Sequence, residues 1–285
     1  MSAWRKLGII AGGGELPLAL AEHCAATGQD YFVARVGPFA DAALAAHPGA
    51  EHDAGAMGAR IAALSHAGCD AIVFIGRVPR MDLSLLRLDE GGAALMAEIR
   101  ASALKGDDVL LRALVGAHSK AGFNIVGAEQ VMAGLAATPG PWGAIAPSAR
   151  DFADIKQAAE VAAAIGAYDV GQGVVACAGL VLAVEAQEGT DAMLARVGEL
   201  PAAVRGLPQN RRGVLVKRPK PMQERRIDLP VIGVKTIEAS AAAGLAGVAV
   251  EAGGVLAVRR AGLVAAADAA GLFVYGFTRT ELGET

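Results

Sequence analysis

Apolar residues follow two rhythms along this 285-residue chain. Short continuous apolar runs alternate with longer stretches in which apolar positions recur every three or four residues. The first rhythm marks buried strands and the second marks helices with one covered face. Residues 6–11 form a run that predicts a strand, and a Gly-Gly-Gly turn follows. A helix over 16–25 comes next, with Pro17 near its first turn, where a missing N–H costs little. Strands over 31–34 and 70–75 flank a helix over 56–67 that Gly68 closes. This alternation predicts a parallel sheet covered by helices. Two further helices over 92–104 and 107–121 lead to a returning strand over 123–126.

Residues 136–146 contain Pro139, Gly140, Pro141 and Gly143, which predicts a linker. Ser148 suits the N-cap of a helix over 151–165. Strands over 173–178 and 180–185 meet at an Ala178-Gly179 turn, and a helix over 190–197 follows. A strand over 213–217 runs into a charged, proline-containing loop over 218–228. Beyond it the pattern predicts a helix over 236–243 and a hairpin of 247–251 with 255–258 around Gly253-Gly254. A helix over 261–270 and a strand over 272–277 complete the chain. The expectation is an α/β fold with no internal repeat and no coiled coil.

Composition narrows the function classes. Hydrophobic residues make up 54%, aromatic residues 4%, and 37 residues are glycine. Such a chain can build a core, which argues against disorder. The 26 basic and 29 acidic residues leave a net charge of −3, so nothing suggests a nucleic-acid surface. The two longest uncharged stretches, 130–149 and 170–184, carry three prolines and three glycines respectively. Neither reads as a spanning helix of about 20 apolar residues. Peripheral membrane contact stays open. Cys24, Cys69 and Cys177 lie far apart without zinc-site spacing, and read as buried, reduced thiols. Residues 1–5 show no leader pattern, so a cytoplasmic location is expected.

Four segments can carry chemistry. Gly12, Gly13 and Gly14 stand between a strand and a helix, where a backbone can approach an anion or simply turn tightly. Pro17 breaks the full dinucleotide fingerprint, and Ala34-Arg35 stands where a ribose-binding acid would end the second strand. Lys105-Gly-Asp-Asp108 fits a helix cap or a Mg²⁺ carboxylate pair. Glu185-Ala-Gln-Glu188-Gly-Thr-Asp191 places three acids at a strand end. Glu188 and Asp191 would complement a helix dipole or gather a divalent cation. Lys217 to Gly233 holds two Lys and three Arg before Asp228. It suits an anionic phosphate or a solvated loop, and Asp228 suits a metal or a water. The histidines 23, 47, 52, 66 and 118 show no ligand spacing. No serine nucleophile elbow or Walker sequence occurs.

Together these segments resemble the LpxI family of UDP-2,3-diacylglucosamine pyrophosphatases over nearly the whole chain. The resemblance rests on residues 8–17, 105–108, Asp169-Val-Gly-Gln172, 185–191 and 217–236. It implies a Rossmann-like N-terminal domain over 1–138 and a mixed α/β domain over 139–285 carrying the catalytic loop, with a substrate chamber between them. It implies Mg²⁺-dependent hydrolysis to UMP and 2,3-diacylglucosamine 1-phosphate, lipid X, in lipid A synthesis. Asp228 would then be catalytic and a metal ligand, with Glu188 and Asp191 as further ligands. Gly12, Gly13, Gly14, Lys217, Lys220, Gln223 and Arg226 would hold phosphate. Glu224 stands where family members often carry Asp. The apolar fraction would also serve the acyl chains. A homodimer is expected from the commonness of twofold assemblies. The alternatives are a nucleotide-dependent oxidoreductase using the Gly-rich turn, and a lipid- or nucleotide-binding protein without turnover.

Overall fold

A computed structural model describes residues 4–79, 86–101 and 107–284. The chain divides into two compact units. The first comprises Met1–Ala133 with Glu224–Asp228, and the second Gly134–Gln223 with Leu229–Thr285.

The first unit runs β1 (Leu7–Ala11), α1 (Glu15–Thr27), β2 (Tyr31–Gly37), β3 (Gly49–Asp53), α2 (Met57–His66) and β4 (Ala71–Ile75). It continues with α3 (Glu90–Ala101), α4 (Asp107–Lys120), β5 (Asn124–Ile125) and the short α5 (Ala128–Val131). The strands form one sheet in the order β3-β2-β1-β4-β5, parallel at every pairing. All five β1 residues are buried, as expected for a strand covered on both faces. On one face Ile10, Val36, Leu64, Ile72 and Phe123 pack together. The sequence pattern foresees this sheet except for β3. That edge strand is at most half-buried and reads Gly-Ala-Glu-His-Asp, so it carries no apolar run.

The second unit runs β6 (Gly140–Pro141), α6 (Ala149–Ala167), β7 (Gly173–Cys177), β8 (Leu180–Val184), α7 (Gly189–Glu199) and β9 (Val214–Lys217). Then come β10 (Val231–Ile232), α8 (Val234–Ala242), β11 (Gly247–Glu251), β12 (Leu256–Ala257), α9 (Arg260–Ala270) and β13 (Phe273–Phe277). Its main sheet has the order β6-β13-β11-β9-β7-β8. The middle strands β13, β11 and β9 are parallel, while β6, β7 and β8 join antiparallel to their inner neighbours.

Alternation within the strands separates two cores. Val214 and Val216 face the α6 side with Ile155, Ala158 and Ala159. Leu215, Val248 and Val250 face the side of α7, α8 and α9 with Met193, Ile237 and Leu263. The alanines of α6 let the helix lie close to the sheet, so few aromatics are needed to fill the layer. Ser148 caps α6, its hydroxyl accepting from the Asp151 N–H while the Asp151 carboxylate accepts from the Ser148 N–H.

Two expectations need correction. The predicted linker contains β6, whose Gly140 and Pro141 pair antiparallel with Gly276 and Tyr275. Pro141 is tolerated there because the strand lies at the sheet edge. The predicted hairpin does not form. Both edges of β11 are taken by β13 and β9, so β12 leaves the sheet and pairs in parallel with β10. Among the described residues no helix is long and apolar enough to cross a membrane.

Candidate functional site

The first sheet reverses its strand order between β1 and β4, and open α/β sheets bind ligands at the carboxyl ends beside such a point. Gly12, Gly13 and Gly14 lie there. The Gly12 N–H donates to the Ile75 carbonyl, and the Gly13 N–H to that of Arg77, each at 2.8 Å. The Arg77 N–H returns a bond to the Gly13 carbonyl at 2.8 Å. A Cβ on Gly12 would lie 2.7 Å from the Arg77 oxygen, and one on Gly13 the same distance from the Phe39 oxygen. The first two glycines therefore let neighbouring loops close against β1, and their N–H groups serve that closure. Gly14, at φ 101°, opens α1 with open space beside it.

In the second unit β8, β9 and β11 point the same way, and a charge follows or ends each apolar run. Glu185 follows β8, while Lys217 ends β9 and Glu251 ends β11. Glu185, Lys217, Arg218 and Glu251 are all buried at this one edge of the sheet. Buried charges need close partners, and each has them. The Lys217 Nζ donates to Thr190 Oγ1 at 2.7 Å, and the Thr190 hydroxyl donates to Glu185 Oε1 at 2.7 Å. Arg218 donates to Glu251 at 2.9 Å and grips Glu284 with two bonds of 2.7 and 2.8 Å. Burial opposes the guanidinium charge. The bonds to Glu284 and Glu251 outweigh it and hold Arg218 above its ordinary value. Arg218 thus ties the C-terminal tail to the sheet.

The next residues of the loop fold back onto the start of β7. Lys220 Nζ lies 2.6 Å from Asp169 Oδ1. Gln223 Oε1 accepts from the Lys220 backbone N–H at 2.9 Å, and its amide donates to Gln172 Oε1 at 3.3 Å. Three sequence segments, 169–172, 185–191 and 217–223, so meet at one place in the second unit.

Glu224–Asp228 group with the first unit. Arg226 grips the Glu224 carboxylate through Nε and Nη2 at 2.9 and 2.8 Å. The bond from Arg226 pulls the Glu224 carboxyl below its ordinary value despite partial burial. Ile227 packs against the core of Ile10, Ile72 and Phe123. The Ile227 and Asp228 N–H groups both donate to the Glu224 carbonyl at 3.1 Å. A tight turn thus presents the half-buried Asp228.

Glu188 and Asp191 are exposed at the start of α7. Glu188 pairs with Arg196 at 2.6 Å. Its carboxyl lies below the ordinary value, first through a bond from its own backbone N–H and then through Arg196. Among the described residues no three His, Cys, Asp or Glu side chains gather into a metal cage. Lys105 and Gly106 lie outside the described residues, as do the side chains of Asp107 and Asp108. Thr190 took no role in the sequence reading, and Glu185 entered it only as one of three acids at a strand end. The available signal was a single charge closing an apolar strand run, seen at Glu185, Lys217 and Glu251.

Comparison with known proteins agrees with these motifs. Residues 6–135 match the LpxI N-terminal domain, and residues 138–275 match the LpxI C-terminal domain. A protein of Caulobacter vibrioides named UDP-2,3-diacylglucosamine pyrophosphatase LpxI is 51% identical over 272 residues, covering 95% of this chain and 97% of that protein. With both domains matched in order along nearly its full length, the chain belongs to the LpxI family.

Proposed function

We propose that this protein hydrolyses the pyrophosphate bond of UDP-2,3-diacylglucosamine, giving UMP and 2,3-diacylglucosamine 1-phosphate in lipid A synthesis. One observation carries the reading: 51% identity over 95% of the chain to a relative of that name. The chemistry of the residues supports it. Hydrolysis builds negative charge on phosphoryl oxygens, which fixed cations and dipoles stabilise. Lys217, Lys220 and Gln223, held at the sheet edge of the second unit, are the groups assigned to that charge. Asp228 is assigned to the reacting centre, where it orients the attacking water and ligates Mg²⁺. The donor set suits this ion, because Mg²⁺ usually takes one or two carboxylates and fills its other positions with water and substrate phosphate. When bound, it would neutralise charge on the pyrophosphate. Glu188, Asp191 and the Gly12–Gly14 turn rank behind these groups, since their polar groups already serve α7, Arg196 and the β1–β4 closure. Arg226 reaches phosphate in this reading only by loosening its grip on Glu224.

The diacyl substrate implies work at a membrane surface. Tyr168 is 84% exposed and Met222 is 65% exposed. They stand beside the Lys220–Asp169 pair, and Gly166 packs against Lys220 and Pro221. An exposed aromatic and a thioether beside a lysine suit the boundary between head groups and acyl chains. We assign peripheral binding at the cytoplasmic face of the inner membrane, with a C2 homodimer as the assembly.

The test is release of UMP from UDP-2,3-diacylglucosamine with Mg²⁺, and with the metal chelated. Parent protein should turn over only with the metal. Asp228→Ala should lose about 10²- to 10⁴-fold in kcat with its circular dichroism unchanged. A folded Asp228→Ala protein with activity near the parent's would overturn the role of Asp228.

A further inference from the structure

We infer that Asp169 is a positioning residue that orients the Lys220 ammonium for the substrate phosphate, an inference that rests on the proposed pyrophosphatase reading. Its place in the chain is one where glycine is the ordinary choice. α6 ends at Ala167, and the Asp169 and Val170 N–H groups turn back to the Gly166 and Ile165 carbonyls at 3.1 and 3.0 Å. This closure puts Asp169 at φ 56°, in the left-handed region that glycine favours at helix ends. α1, α2, α4, α8 and α9 are followed there by Gly28, Gly68, Gly122, Gly244 and Gly271, all at positive φ. α6 is followed by a residue whose Cβ crowds the next carbonyl in that conformation.

Stability does not explain the choice. Asp169 Oδ1 accepts from Lys220 Nζ at 2.6 Å, with the aspartate side chain 36% exposed and that of the lysine 18% exposed. An ion pair this open to water contributes little. The left-handed backbone meanwhile strains an aspartate and leaves glycine unstrained. What the pair does is fix a direction. An ammonium carries three hydrogens, so one bond to Asp169 orients the head group without exhausting it.

Lys220 is held at both ends. Its backbone N–H donates to Gln223 Oε1 at 2.9 Å, while its ammonium reaches Asp169. Gln172, three residues beyond Asp169, adds two more ties. Its carbonyl accepts from the Arg218 N–H at 3.1 Å, and its side-chain oxygen accepts from the Gln223 amide at 3.3 Å. Residues 169–172 therefore grip the loop at positions 218, 220 and 223. Their own backbone has little room to shift. A Cβ on Gly171 would lie 1.8 Å from the Glu185 carbonyl oxygen, so only glycine lets this strip lie against the chain leaving β8.

Steady-state kinetics and thermal unfolding of the full chain test this together, with UDP-2,3-diacylglucosamine and Mg²⁺. Asp169→Gly removes the carboxylate and suits the left-handed backbone. It should lower kcat about 10- to 100-fold, the scale of a misplaced binding group, while the thermal midpoint stays unchanged or rises. A purely structural residue would move both quantities downward. Asp169→Asn keeps an oxygen acceptor and tolerates the backbone, so it should return kcat to within a few-fold of the parent. The double variant Asp169→Gly/Lys220→Ala should match Lys220→Ala alone, because Asp169 acts through Lys220. An unchanged kcat in Asp169→Gly, a kcat loss accompanied by a lowered midpoint, or additive losses in the double variant would each overturn the inference and leave the pyrophosphatase reading intact. A parent without turnover would overturn both.

Discussion

Asp89 serves two helices with one carboxylate. Its oxygens accept from the Gly58 and Ala59 N–H groups at the start of α2, at 3.1 and 2.8 Å, and from Gly92 at the start of α3, at 2.8 Å. Burial raises its pKa, but the bonds from Ala59, Gly92 and Gly58 outweigh burial and leave it below the ordinary value. Asp89→Ala should therefore destabilise the first unit by about 1–3 kcal/mol, measured by urea unfolding at pH 7. A stability unchanged from the parent would rule out the double cap. The sequence shows the contrast in what single residues reveal. Ser148 and Asp151 cap their own helix three residues apart, and that spacing is legible. The service of Asp89 to α2 spans 31 residues and follows only from tertiary structure. The cysteines were legible as buried thiols. Burial pushes Cys24 and Cys69 up to about 11, so alkylation at pH 7 should be slow in the folded protein and fast in urea.

Elements were readable where periodicity is strong and local. The Ala178-Gly179 turn between β7 and β8 was foreseen, and Asp154 fixes it by accepting both turn N–H groups at 2.9 Å. The partner choice of β12 was not readable. Gly253-Gly254 looks like a hairpin turn, but whether a strand pairs backward depends on which edges are free. The Glu224–Asp228 turn makes the same point for function. Its charges could be read, but Ile227 as its anchor could not, because an isolated isoleucine in a polar loop does not show which core it enters. The turn yields a prediction at this scale. Ile227→Ala removes a half-buried side chain worth about 1–2 kcal/mol of transfer free energy. It should lower kcat/KM more than it lowers the thermal midpoint, since the residue that moves first is Asp228. Equal activity with a lowered midpoint would show that Ile227 serves stability alone.

At the level of the molecule the two-domain α/β organisation was legible from alternation and from the order of motifs. The meeting of 169–172 with 217–223 was legible only as a list of motifs, because nothing local tells Asp169 that Lys220 is its partner. The C-terminal tail was also unreadable, since Glu284 lies 66 residues from Arg218. Arg218 holds the Glu284 carboxyl below its ordinary 4.5 through hydrogen bonds and charge, more than burial raises it. A depressed carboxyl contributes stability above its unfolded value and loses it as pH falls through the folded one. Glu284→Gln should thus be less stable than the parent at pH 7, with the gap closing below about pH 4. Urea midpoints at both pH values measure this, and a gap that widens in acid would contradict the sign. The assignment of Glu224–Asp228 to the first unit also bears on how the gene can be cut. A break between Ala133 and Gly134 separates the first unit from residues 224–228, which group with it. The N-terminal fragment would lack Ile227, and the C-terminal fragment would carry the five residues as an unmatched insert. A graft that closes 223 directly to 229 should expose that dependence as lost yield of the first unit, whereas co-expression of both halves, which supplies residues 224–228, should restore it.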